Sequence, residues 1–199
     1  MITDKQKEYT NIRFSTIDLP LLKGCRFMGC SFAEVQFEEI TTQGCQFTEC
    51  DFTQAQLSGS VHNNSAFVNC LFRGTNLFSA RLDNCKMTGS TFEAARVDGL
   101  VVLQGDWSYV SIRNHSLKGC DFRQVKLVEA DLSGCNLEKC DLREADLTGA
   151  SLTQVRLAGA DLRGALVEGV DFKNLSINKV RLDAAQAIAF TEAHGARVG

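Results

Sequence analysis

An apolar side chain recurs at every fifth residue of this chain, in one register, from Ile12 to Leu182. Of the 35 positions in that series, only Thr42 and His62 are not apolar. A period of five matches neither the 3.6 of an α-helix nor the 2 of an ordinary strand. Self-similarity over most of a chain is a structural repeat, and it sets the architecture before any local motif does. A five-residue unit cannot bury a face alone, so each must lean on copies of itself.

Let the apolar residue be position i. Phenylalanine dominates it early (Phe27, Phe32, Phe47, Phe52, Phe72) and leucine late (Leu132, Leu142, Leu147, Leu162), which makes these the candidate core. Two residues earlier sits a small residue, usually Cys or Ala, and polar residues dominate between them. In an extended segment i−2 and i share the inward face while i−1 points to water. Thirteen of the 16 glycines fall at i+2. A glycine fixed in register marks a backbone site with positive φ, as in a type II turn. The unit therefore reads as a very short strand followed by a turn. Four such units close a square, so residue n stacks on n+20. The series gives nearly nine coils and, at about 4.8 Å per coil, a rod on the order of 42 Å long.

Composition removes several functions. A net charge of −3 is not that of a nucleic-acid binder, so no direct nucleic-acid contact is expected. No apolar run approaches 18 residues and Met1–Glu8 has no apolar stretch, so neither a membrane span nor a secretion signal is expected, and the chain is placed in the cytoplasm. All nine cysteines occupy i−2, with gaps that are multiples of five. That spacing does not fit a metal site. Cys30, Cys50 and Cys70 would stack within disulfide range, but the bland reading, small buried residues filling the Ala slot, is preferred. Among His62, His115 and His194 no nucleophile–base pair is suggested, and the aspartates at i−1 read as a solvated edge. A rod filled with Phe and Leu leaves no substrate pocket. The expectation is a non-enzyme with no metal and no cofactor.

Three stretches depart from the pattern. Residues 1–11 are assigned to an N-terminal cap and 12–183 to the repeat. Within the repeat, residues 98–110 place Leu100 and Gly105 at small-residue slots and the single Trp at i, which predicts a local distortion. After Leu182 the period stops. Asp183 suits a helix N-cap and Gly195 a C′ position around an Ala-rich run, so residues 184–199 read as a short α-helix and tail. A helix apolar nearly all round calls for burial on more than one side. One side can plug the last coil, and the other, through Leu182, Ala184, Ala187, Ile188 and Phe190, can pair with a second copy.

The units Ala130-Asp131-Leu132-Ser133-Gly134, Ala145-Asp146-Leu147-Thr148-Gly149 and Ala160-Asp161-Leu162-Arg163-Gly164 resemble the A-(D/N)-L-x-x unit of pentapeptide-repeat proteins. The resemblance covers roughly residues 10 to 183. It implies an all-β repeat solenoid, a right-handed quadrilateral parallel β-helix with the short C-terminal α-helix appended. The size, and the tail Val180–Gly195, are similar to the topoisomerase-protecting branch, closer to the MfpA and AlbG types than to the Qnr type, whose out-of-phase loop is not visible here. That branch implies a homodimeric rod that mimics DNA, binds DNA gyrase and protects it from quinolones or albicidin, so giving antibiotic resistance. Within this reading the last coils and the dimer seam, Glu129, Asp131, Asp146, Glu168 and Asp171, form the candidate gyrase surface. Asp121, Asp141 and Asp161 and, two positions along, Arg123, Arg143 and Arg163 fall in adjacent columns that can neutralise one another. The competing reading is a scaffold or interaction rod with no topoisomerase target.

Overall fold

The computed structural model describes residues 7–17 and 19–198. Part of the N-terminal cap, residues 1–6, thus lies outside the described residues. Two compact units are present, one ending at Asp106 and the other beginning at Trp107. That division falls inside the stretch where composition leaves the repeat.

The N-terminal unit is a parallel β-solenoid. Its strands are β1 (Glu8–Thr10), β2 (Leu21–Lys23), β3 (Arg26–Met28), β4 (Thr41–Gln43), β5 (Gln46–Thr48), β6 (Val61–Asn63), β7 (Ala66–Val68), β8 (Arg81–Lys86) and β9 (Val101–Asp106). From β2 onward every pairing joins n to n+20: Leu22 to Thr42, Thr42 to His62, His62 to Leu82, Phe27 to Phe47 and Phe47 to Phe67. The other two faces hold single bridges in the same register, through Asp51 with Leu71 and Gln56 with Asn76.

The register fails at its first two members. Tyr9 pairs with Phe27 and Arg13 bridges Ser31, an offset of 18 in place of 20. Tyr9 and Phe14 therefore fill the core, each 3% exposed, while Ile12 stands 36% exposed. The slip is taken up between Phe14 and Leu22, where the single proline, Pro20, lies.

Each coil turns at i+2, where the backbone is left-handed whether or not the residue is glycine: φ is 65° at Glu34, 48° at Asn64 and 54° at Asn69. Gly105 has a stricter reason to be glycine. It pairs with Cys85 across β8 and β9, and an added Cβ would run into the Cys85 carbonyl oxygen.

Phenylalanines fill the inner space as two columns. Phe27, Phe47 and Phe67 stack at 4.8 and 4.7 Å, and Phe32, Phe52, Phe72 and Phe92 at 5.0, 5.0 and 4.9 Å. The columns meet edge to face, as at Phe47 and Phe52, 5.5 Å apart. Such pairs add about 0.5–1.5 kcal/mol each beyond area burial.

The two polar exceptions are column neighbours and satisfy one another. Ser60 Oγ donates to the Leu57 carbonyl at 2.6 Å, so it accepts from His62 Nε2–H at 3.0 Å. That leaves His62 Nδ1 to accept from the Thr42 hydroxyl at 2.8 Å. Thr42 Oγ1 also meets Ser65 Oγ at 2.9 Å, which in turn takes the Cys45 N–H at 3.2 Å. The imidazole is thus buried neutral as one defined tautomer, and burial lowers its pKa to about 4.

All nine cysteines are free thiols. They do more than replace alanine. Cys45, Cys70 and Cys85 Sγ donate to the carbonyls of Leu22, Phe47 and His62, one coil back, at 3.2, 3.4 and 3.2 Å. Ser90 and Thr75 hydroxyls do the same to Phe67 and Phe52. Burial pushes the Cys85 and Cys140 thiols up to about 12, so they stay protonated and able to donate.

The C-terminal unit keeps the register with leucine. Leu132, Leu142, Leu147 and Leu162 are each 1% exposed or less. All four faces end in a turn closed by an i+3 to i bond, as in Ala130 N–H to Leu127 O, Cys135 to Leu132, Cys140 to Leu137 and Ala145 to Leu142. The unit ends in α1 (Ala184–Ala193). Asp183 caps it by accepting from Ala185 and Gln186 N–H, and Gln186 Oε1 accepts in return from Asp183 N–H at 2.8 Å. Gln186, which the sequence places among the polar interruptions of an apolar helix, is the buried residue of α1, donating to Ala165 O at 2.9 Å. Gly195 takes φ 89° just past the helix.

Candidate interaction surface

In the C-terminal unit each face is named here by a core leucine. The Leu132, Leu137, Leu142 and Leu147 faces follow one another around the coil, with left-handed corners between them.

The five acidic residues singled out from the sequence lie on two adjoining faces and their shared corner. Asp146 and Glu168 belong to the Leu147 face, Asp131 and Asp171 to the Leu132 face, and Glu129 to the corner between them. They span several coils and do not converge on one point. Asp131 is paired with Arg113 at 3.5 Å. The other four have no salt bridge among the described residues. Asp146 and Asp171 instead accept from the backbone N–H two residues on, at 3.1 and 2.9 Å. Glu129, Glu168 and Asp171 are exposed, and Tyr109, 62% exposed, precedes Glu129 on the same corner column.

The Leu142 face is built differently. Arg123, Arg143 and Arg163 each grip the aspartate two residues back through two nitrogens: Arg143 Nε and Nη2 lie 2.9 and 2.7 Å from Asp141, and Arg163 Nε and Nη2 lie 2.9 and 2.7 Å from Asp161. Arg123 also reaches Asp141 of the next coil at 3.7 Å, and Arg181 reaches Asp161 at 3.8 Å. Hydrogen bonds from Arg163 hold the Asp161 carboxyl down to about 2. The two columns neutralise each other, as the sequence suggests. Charge is nevertheless uneven: acids outnumber cations around the Glu129 corner, although Lys126 and Lys173 lie on the same two faces. The unpaired acids flank the Glu129 corner, while Lys139 and Lys179 occupy the corner diagonally opposite. Sequence reasoning missed that second corner, although Lys139, Gly159 and Lys179 are spaced by 20.

Of the residues assigned to pairing with a second copy, Ala184, Ala187 and Ile188 are exposed and Leu182 is half-buried. Phe190 is half-buried against its own last coil, its ring 6.2 Å from Phe172. Among the described residues no group of side chains is arranged to hold a metal ion, and no helix is long and apolar enough to cross a membrane.

Family models account for both units. The model described as pentapeptide repeats (8 copies) matches residues 116–154 and 150–185, and the one described as pentapeptide repeat region matches residues 21–97. The chain belongs to the pentapeptide-repeat family. As a pentapeptide-repeat protein it is similar in fold to QnrB1, described as a plasmid-mediated fluoroquinolone resistance protein. A trypsin-treated arginine-to-glutamate variant of QnrB1 matches with TM-score 0.85 at 18% identity over 98% of both chains. A trypsin-treated methionine-to-arginine variant matches with TM-score 0.68 at 17% identity, again over 98% of both. No curated protein sequence matches this pentapeptide-repeat chain.

Proposed function

We propose that this protein binds DNA gyrase by presenting an acidic, duplex-like surface, and that it thereby shields the enzyme from poisons such as quinolones or albicidin. It acts without catalysis, in the cytoplasm, as a pair of identical chains joined through α1. The observation that carries the reading is the match to a fluoroquinolone resistance protein along essentially the whole length of both chains. The excess of acids around the Glu129 corner supports it. Glu129, Asp146, Glu168 and Asp171 lie on or beside one corner, without a salt bridge among the described residues, on coils that repeat at about 4.8 Å. That is of the same order as the roughly 3.4 Å axial spacing of phosphates along one DNA strand.

The test is gyrase supercoiling with the purified protein, with and without a quinolone or albicidin. Micromolar protein is expected to inhibit supercoiling or reduce drug-trapped cleavage. Glu129→Lys, Glu168→Lys and Asp171→Lys combined are expected to weaken this at least tenfold with an unchanged circular dichroism spectrum. No effect from folded wild-type protein would remove the topoisomerase reading and favour a scaffold with another partner.

A further inference from the structure

The corner between the Leu137 and Leu142 faces of the C-terminal unit carries a groove of about 430 Å³. Lys139, Gly159 and Lys179 form its edge, one per coil, with φ of 60°, 75° and 57°. Both lysines are exposed and neither has a salt bridge among the described residues. They stand two coils apart, about 10 Å, and Gly159, with the Lys139 stem against it, puts no side chain of its own between them. Arg163 and Arg181 reach the groove from the Leu142 face.

Asp141 and Asp161 line it as well, each paired with an arginine, Arg143 or Arg163, that is more exposed than the carboxylate. The Asp161 side chain is only 13% exposed, held by Arg163 at 2.7 Å, whereas Arg181 above it is 71% exposed. The groove therefore turns a cationic surface outward in a chain whose net charge is negative. Guanidinium groups meet phosphate oxygens through paired N–H donors, and lysines add mobile point charges. One carboxylate would satisfy one of these groups. A linear ligand with several negative charges can engage both lysines across the gap and an arginine beside it.

We propose that this groove binds the polyphosphate group of a small ligand, of diphosphate or triphosphate length. The proposal stands apart from gyrase binding, since it uses the opposite corner.

Titration calorimetry at fixed ionic strength tests it, with inorganic tripolyphosphate, pyrophosphate and ATP as probes. Saturable binding is expected, tighter for tripolyphosphate than for pyrophosphate. Comparable affinity for ATP would identify a nucleotide-borne group, and much weaker ATP binding a free polyphosphate. Lys139→Gln with Lys179→Gln is expected to lower affinity at least tenfold. The control pair Lys126→Gln with Lys173→Gln, which removes the same charge elsewhere on the unit, is expected to change it less than twofold. Gly159→Glu, which places a carboxylate in the gap, is expected to abolish binding. Absence of saturable binding to the wild type, or equal losses in the two lysine pairs, would overturn the proposal.

Discussion

The N-terminal and C-terminal units follow the same twenty-residue register yet differ in what fills and edges it. In the first, flat rings stack at 4.7–5.0 Å, close to the spacing of neighbouring strands, so the aromatic column matches the backbone ladder. Two of its faces are continuous strand ladders, with residues such as Thr41, Val61, Thr48 and Val68 that favour extended backbone. In the second, buried leucines fill the core and every face ends in a closed turn. The contrast teaches that the repeat specifies the path of the chain, while the residue at i decides how the interior holds together. It also teaches where polar groups are tolerated: the first unit admits a buried imidazole because Thr42 and Ser60 meet its two nitrogens and Ser65 meets Thr42.

The largest test of this difference is truncation. Phe52→Ala removes a ring stacked on both sides and is expected to cost about 5 kcal/mol, against about 3 kcal/mol for Leu142→Ala. Equal losses in chemical denaturation would show that ring stacking adds nothing beyond burial.

Acid offers the next. His62 has a folded pKa of about 4 against about 6.5 unfolded, so between those values the unfolded chain holds the extra proton. Its stabilising effect is full above pH 6.5 and is lost as pH falls toward 4, by up to about 3 kcal/mol. Asp161 loses its contribution only lower, as pH falls below the ordinary carboxylate value toward about 2. Hydrogen exchange should therefore show the N-terminal unit losing protection first as pH drops from 7 to 4. Loss of protection at the same pH in both units, or in the double variant Thr42→Val with His62→Leu, would contradict the assignment.

Smaller again is the thiol. Cys70→Ala deletes a donor to Phe47 O and is expected to cost about 1 kcal/mol, while Cys70→Ser, which mimics Ser90, should recover most of it. Matching melting curves for the two variants would return cysteine to a filler. The smallest stability effect is expected at Ile188→Asp, within about 0.5 kcal/mol because the side chain is already exposed. Light scattering of that variant should report half the wild-type mass, and an unchanged mass would move the pairing surface elsewhere.

Much of the fold was legible because each coil repeats one inside–outside pattern, and the buried leucines and phenylalanines fall where it places them. Ile12 misled because it is apolar and in phase. Tyr9 and Phe14 carry the same five-residue spacing in another phase, and only Pro20 hints at the slip between them. Gln186 reads only as a polar interruption of an apolar helix, but a helix start pressed on the last coil needs a side chain that can satisfy backbone groups. The acidic corner was visible as composition and not as a surface, since pairing with Arg113 or its absence depends on neighbours a coil away.

Because each residue meets the one twenty places on, chain length behaves as an angle. Deleting a single five-residue unit, such as residues 135–139, would leave every later core slot filled. It would also carry each later charge a quarter of the way round relative to the coils before it, bringing Asp146 over Asp121 in place of Lys126. Gain or loss of twenty residues would lengthen or shorten the stack without that rotation. The architecture thus tolerates changes in height far more readily than changes in phase, and its surface pattern is inherited by whole coils.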